Sequence, residues 1–244
     1  MEQFDFIIVG AGSAGSVLAE RLTASGRHRV LLLEAGGSDR RFFIAMPLGY
    51  GKTFFDPAVN WMYRTEPDPG LAGNVDYWPR GKVLGGSSSI NAMVWIRGAA
   101  EDYDDWEAAG NPGWGRDAMA AAFQALEDCE RPAPGRGKGG PVRVTRIDNA
   151  IHPLTRRYIE AARQAGLPDN PDFNGASQEG VGLYEINTKA GRRVSGATAF
   201  LRPAMKRSNL VVRTGALVSR ILFDGTRATG VEYRIGATTR QARA

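Results

Sequence analysis

The run from Phe4 to Val9 is rich in apolar, β-branched residues and ends at the glycine cluster Gly10-Ala11-Gly12-Ser13-Ala14-Gly15. Beyond the cluster, Ala14, Val17, Leu18 and Leu22 share one helical face until Gly26, and Val30 to Leu33 is a second apolar run. A helical period between two short apolar runs predicts strand, tight turn, helix, strand: a βαβ unit. From Gly36 to Pro79 the periodicity fades among Gly, Pro and aromatic residues, which predicts an extended, irregular excursion. Helical spacing returns from about Asp117 to Cys129 and from Leu154 to Ala165, which Gly166 closes, and Val142 to Val144 reads as a strand between them.

Three further stretches complete the pattern. Arg131 to Pro141 is Gly- and Pro-rich, as a flexible surface connection would be. Residues 172–193 alternate in short pieces bounded by turn residues, as an antiparallel sheet does. Leu210 to Arg213, Leu217 to Phe223 and Thr229 to Tyr233 read as strands, with Asp224-Gly225 supplying a hairpin turn.

Composition narrows the class. With 43% hydrophobic and 23% charged residues over 244 positions, the chain can bury a core and is not a disordered composition. No apolar stretch is long enough to span a bilayer, and the N-terminus lacks the basic region of a secretory signal. Cys129 is the single cysteine, which excludes internal disulfides and a thiolate metal cluster and reads as a buried helical thiol. The expected compartment is cytoplasmic, with peripheral membrane association left open. The net charge of +5 comes from scattered pairs such as Arg40-Arg41, Arg192-Arg193 and Lys206-Arg207, with no basic-aromatic stripe, so no nucleic-acid partner is expected.

The first glycine cluster fits G-x-G-x-x-G. Gly10 permits the tight turn, Gly12 removes a side chain where a pyrophosphate approaches, and Gly15 lets helix pack on strand. The helix N-terminus at Ser13 and Ala14 offers N–H groups and a positive dipole end. Glu34, followed by Ala35, ends the second strand about 20 residues on, where a carboxylate accepts hydrogen bonds from an adenosine ribose and repels a 2′-phosphate. Those features predict an adenine dinucleotide, FAD or NAD, and not NADP. Because a methyl group on Gly12 would project toward the pyrophosphate, Gly12→Ala is expected to impair cofactor binding more than Gly36→Ala.

A second cluster, "GKVLGGSSSINAMVWIRGAAEDYD" from Gly81 to Asp104, resembles the first signature of the glucose–methanol–choline (GMC) family of flavoprotein oxidoreductases, nearest to its choline-dehydrogenase-like members. The resemblance continues through "HPLTRRYIEAARQAGLP", "DFNGASQEGVG" and "RPAMKRSNLVVRTGALVSRI". It implies an α/β fold: a Rossmann-like FAD-binding domain with parallel sheet and β-meander, plus part of an antiparallel-sheet substrate domain. The expected division is 1–140 and 191–244 for the FAD-binding domain and 141–190 for the substrate domain. Around the cofactor, the resemblance places Gly81, Val83, Gly85 and Gly86 at the FAD, Asn91, Ala92, Met93 and Val94 beside the flavin, and Val218 at the adenine. The serine hydroxyls and N–H groups of the loop are expected at phosphate oxygens. Some members tether the flavin through a histidine where this chain has Ile90, so FAD is expected without a covalent link.

The family chemistry is oxidation of a primary alcohol, with hydride passing to flavin N5 and then to an acceptor, quinone or oxygen. Its proton acceptor is a histidine near the family's C-terminus. Here the only histidines are His28, in a turn, and His152, at a helix start, and both read as surface or capping residues. Asp104 stands without an evident partner. No catalytic residue and no metal ligand is therefore assigned. The sequence reads as the cofactor-binding N-terminal part of a longer enzyme whose C-terminal half would be its partner; the alternatives are a non-catalytic FAD-binding fragment and a lyase of the same family with a structural flavin.

Overall fold

The computed structural model describes residues 2–131 and 133–244. In chain order the main elements are β1 (Glu2–Gln3), β2 (Phe6–Val9), α1 (Ser13–Thr23), β3 (Val30–Leu33) and the short α2 (Phe42–Ala45). There follow β4 (Val94–Trp95), α3 (Ala100–Ala108), α4 (Arg116–Leu126), β5 (Glu127–Cys129), β6 (Val142–Val144), α5 (Pro153–Gln164) and β7 (Glu185–Ile186). The chain ends with β8 (Leu210–Arg213), β9 (Ala216–Asp224), β10 (Arg227–Ile235) and β11 (Thr238–Arg243).

Contacts divide the chain into two compact units, 1–92 with 191–244, and 93–190. In the first unit, β3 is the middle strand of a parallel sheet, paired on one side with β2 and on the other with β8. Its four residues are all buried because they face two cores. Val30 and Leu32 pack with Ala19 of α1 and with Leu201 and Ala204 of the helical segment 197–204. Leu31 and Leu33 pack on the other side with Phe4, Val231, Tyr233 and Ala242. Strict alternation on a strand with two covered faces needs a continuous apolar run, which is what Val30 to Leu33 supplies.

The second layer is a meander in which β9, β10 and β11 pair antiparallel in turn, and β1 adds to β11 in parallel. Gly225, at φ +58, turns β9 into β10 next to the closing pair Asp224 and Arg227. Layers of helix, parallel sheet and meander make this unit a mixed α/β fold of the expected kind.

The second unit is built from short pieces. α3 packs against α4, β5 pairs with β6 in parallel, and β4 pairs with β7 antiparallel. Three expectations need correction here. Helical spacing carries on to Cys129, but α4 stops at Leu126, because Glu127 is drawn into a buried ion cluster and Cys129 becomes the buried end of a strand. The connection 131–141 is no loose surface link, since Arg136 is inserted in that cluster; Pro132 lies outside the described residues. The stretch from 93 to 140 also groups with the second unit instead of the first, because Trp95 and Arg97 bond Glu127 and so bind β4 to β5. Antiparallel pairing in 172–193 includes short ladders within this unit, at β7 and at the Thr145–Ile186 bridge.

Among the described residues no helix is long and apolar enough to cross a membrane.

Candidate functional site

At the C-terminal ends of β2 and β3 the chain turns sharply. Gly10 takes φ +90, a left-handed conformation that favours glycine. A Cβ on Gly15 would stand 2.0 Å from the Gly10 carbonyl oxygen, so only glycine lets α1 start so close to the strand end. A Cβ on Gly12, in contrast, would meet nothing within 4 Å. Gly12 precedes α1 without a side-chain cap, and the first intrahelical donor is Ser16, bonding the Gly12 carbonyl. The N–H groups of Ser13, Ala14 and Gly15 therefore open a helix with no acid in its first turn, a region of positive partial charge.

The second glycine cluster closes against the first. Gly85, at φ +88, donates its N–H to the Ala11 carbonyl at 2.7 Å, and a Cβ on Gly86 would lie 2.7 Å from the Gly12 Cα. The three serines serve the loop itself. Ser87 Oγ accepts from the Gly81 N–H, Ser88 Oγ accepts from the Gly196 N–H, and Ser89 Oγ donates to the Leu84 carbonyl at 2.7 Å. Expected at phosphate oxygens, these hydroxyls instead fix the loop, and only Ser87 borders the open space.

That space is a cleft of about 560 Å³, within the usual range for small-ligand pockets. Gly10, Gly12, Ser13, Ala14, Gly15, Glu34, Ala35, Gly81, Gly86 and Val218 all line it. Glu34 is 5% exposed, and each carboxylate oxygen accepts one backbone N–H, from Ala11 at 2.8 Å and from Gly36 at 2.7 Å. A carboxylate has about four acceptor sites, so capacity remains for two hydroxyls. Val218 lies on β9, an edge strand of its sheet, so one side of its backbone has no strand partner. A backbone edge of this kind can pair with a flat heterocycle as it would with another strand.

The remaining sequence-assigned positions fall elsewhere. Val83 is fully buried in a small core with Ile44, Val59 and Ile90. Gly85 supports the turn, and Ala92 is the last residue of the first unit before its return at Gly191. Asn91 accepts hydrogen bonds from Arg193 through its side-chain Oδ1 and its carbonyl. Met93, at φ +63, and Val94, on β4, belong to the second unit, where the Met93 carbonyl accepts from the Asn187 N–H. Both histidines are engaged. His28 sets its ring edge against Phe6 at 5.1 Å, and His152 caps α5 by accepting the Leu154 N–H at Nδ1. Asp104 does have a partner, being ion-paired to Arg116 on the surface, which holds its carboxyl below the usual range.

Sequence reasoning missed several lining residues. Trp61 and Tyr63 stack at 5.7 Å with their rings nearly parallel, and Arg80 and Leu217 also border the cleft. Asn60 sets this corner by accepting the N–H groups of both Met62 and Arg80 at its Oδ1. The one signal in the sequence was the aromatic richness of the irregular excursion.

The cleft therefore offers backbone donors at a helix start, a buried carboxylate, a cation, a stacked aromatic pair and a strand edge. That donor set suits a nucleotide with a diphosphate. The chain matches the GMC oxidoreductase profile over residues 4–244. It is 48% identical over 240 residues to the mitochondrial choline dehydrogenase of Mus musculus, which covers 95% of this chain and 40% of that protein. Over 232 residues it is 45% identical to an alcohol dehydrogenase (acceptor) of Pseudomonas putida, covering 94% of this chain and 42% of that one. Its fold superposes on pyridoxine 4-oxidase from Mesorbium loti with a TM-score of 0.93 at 37% identity, over 98% of this chain and 48% of the oxidase. The chain thus spans about 40% of the length of the curated relatives it matches. It belongs to the GMC oxidoreductase family.

Proposed function

We propose that the chain is the FAD-holding N-terminal portion of an alcohol dehydrogenase acting on a primary alcohol such as choline. The observation that carries this reading is the single cleft shared by both glycine clusters, Glu34 and the β9 edge. In it, the first-turn N–H groups of α1 and the open face at Gly12 would receive the diphosphate. Glu34 would take the ribose hydroxyls, and the backbone at Val218 would pair with the adenine. Ile90 is 1% exposed and carries no nucleophile, so FAD would be held without a covalent bond. Asn91, Ala92, Met93 and Val94 are assigned to the flavin by family resemblance.

Bound FAD supplies the hydride acceptor, and this chain's residues bind and orient it. A base to remove the hydroxyl proton is assigned to no residue here, since His28 packs on Phe6 and His152 caps a helix. Three measurements on the purified chain test this proposal. FAD titrated into the protein should quench its fluorescence, while FMN, which lacks the adenosine, should bind at least about tenfold more weakly. After acid precipitation the yellow colour should stay in solution. Anaerobic mixing of the loaded chain with choline and other primary alcohols should leave the flavin oxidised. Binding of FMN equal to FAD would sink the cleft assignment, and bleaching by an alcohol would show that a base has been misplaced.

A further inference from the structure

Arg193 is 4% exposed, and among the described residues no carboxylate pairs with it. Its donors go to neutral acceptors instead. Nε donates to the Ile44 carbonyl of α2 at 3.0 Å, and Nη1 is shared among the Ser88 carbonyl, the Asn91 carbonyl and Asn91 Oδ1. Nη2 is buried and has no partner at all. Burial without a counter-charge pushes the guanidinium down to about 10. A buried, unbalanced cation with an orphan nitrogen is unfavourable by itself, so the fold keeps it against a cost.

The contacts indicate what is gained. Ser88 and Asn91 flank the segment that follows Gly85-Gly86, the same loop whose Gly86 abuts Gly12 at the cleft wall. Ser88 is held from the other side by the Gly196 N–H, three residues after Arg193. One planar fork thus ties three separate stretches, α2, the serine loop and the 193–196 turn, and it does so without lining the cleft. A lysine could not do the same, since its single ammonium cannot span Ile44 and Asn91 at once.

We propose that Arg193 is a positioning residue for the dinucleotide site: it locks the Ser88–Asn91 segment, which continues directly from the Gly86 and Ser87 that line the cleft, and its unbalanced charge is countered by the negative charge of bound FAD. The second half rests on the FAD reading above, whereas the first half does not. The lock acts through backbone carbonyls of the loop. The charge acts on a polyanion held at that loop, and burial of Arg193 weakens the screening between them.

Two variants, Arg193→Gln and Arg193→Lys, test both halves on this chain. Amide hydrogen exchange of residues 86–91 in the FAD-free protein reads the lock. It should speed up about tenfold in both variants, the scale of one lost charge-assisted hydrogen bond. FAD titration reads the charge: affinity should fall about tenfold in Arg193→Gln, with Arg193→Lys recovering part of the loss. Unchanged exchange in Arg193→Gln would overturn the lock, and a lysine variant no better than glutamine would overturn the counter-charge. Failure of both variants to fold would also overturn the proposal, making Arg193 a core residue. If the parent chain binds no FAD, the functional reading fails instead, and the exchange arm still decides whether Arg193 holds the loop.

Discussion

Arg136 in the second unit and Arg193 in the first are both buried, and the fold provides for them in opposite ways. Arg136 reaches Glu127 and Asp172 at 2.8 Å each and Glu185 at 2.6 Å. Glu127, with no side-chain exposure, takes further bonds from Trp95, Arg97 and the Gly137 N–H. Burial pushes Glu127 up, but the bonds from Arg136, Gly137 and Trp95 and the charge of Arg97 outweigh it and hold the carboxyl below its usual range. Hydrogen bonds and charges from the same carboxylates raise Arg136 against its burial. Around Arg193 there are only carbonyls and an amide oxygen, and around the glycine clusters there are helix-end N–H groups. A cluster in which buried charges balance holds structure together, even with one nitrogen of Arg97 left unpaired; a buried cation with no counter-charge can mark where an anion binds.

The strongest way to break this contrast is at Gly36. Its added Cβ would stand 1.9 Å from the Lys82 carbonyl oxygen, so Gly36→Ala should lose the cooperative thermal transition altogether. Gly36 is therefore a poor comparator for Gly12 in a test of FAD binding, since its substitution strikes the fold first. Gly37, where an added Cβ meets nothing within 4 Å, is the proper control.

Next in size, Glu127→Gln should cost about 3 kcal/mol in urea unfolding, since Arg97 and Arg136 lose their common carboxylate. Glu127 has a depressed folded-state pKa. Its contribution is therefore present above the unfolded carboxylate value, about 4.3, and lost as pH falls through the lower folded value. The parent should weaken in acid over that window, and the variant should weaken less. A parallel acid profile for the two would show that the cluster adds nothing net.

Smaller effects are expected at the cleft. Gly12→Ala should melt like the parent yet lose about tenfold in FAD affinity, because its methyl enters space left for ligand. Gly37→Ala should leave that affinity unchanged. Least of all, Glu34→Gln should lose about 1 kcal/mol of FAD binding, measured by titration. One bond to Ala11 or Gly36 would also be disturbed, so a melting shift without any loss of FAD binding would mean that the carboxylate only clamps the turn.

What could be read from the sequence follows from how local each cause is. Val30–Leu33 and Leu210–Arg213 emerge with their observed bounds, because strands in a sheet covered on both faces must be apolar throughout or nearly so. β11, with the sequence TTRQAR, escapes notice because only Ala242 is buried. The end of α4 is invisible for a different reason: Glu127 is a good helix former, and its partners Arg97 and Arg136 come from other segments. Glycine positions at the cleft are readable because a turn's tolerance is a property of the residue itself. Trp61, Tyr63 and Arg80 are not, since the pairing of Trp61 with Arg80 that gathers them joins positions far apart in the chain.

The pairing of β3 with β8 also sets a timetable. Leu33 leaves the ribosome long before Leu210, with the whole of residues 93–190 still to be made. At about 5–20 residues per second the wait is roughly 10–35 s. Throughout it, Val30–Leu33 has a partner on one side only, and the layer that covers Leu31 and Leu33 does not yet exist, since β9, β10 and β11 come later still. Even β1, among the first residues made, waits for β11 at the far end of the chain before it can pair. Nascent chains that stop short of about residue 213 should therefore be the ones that bind chaperones or precipitate, and slower translation should lengthen the exposure without changing the product.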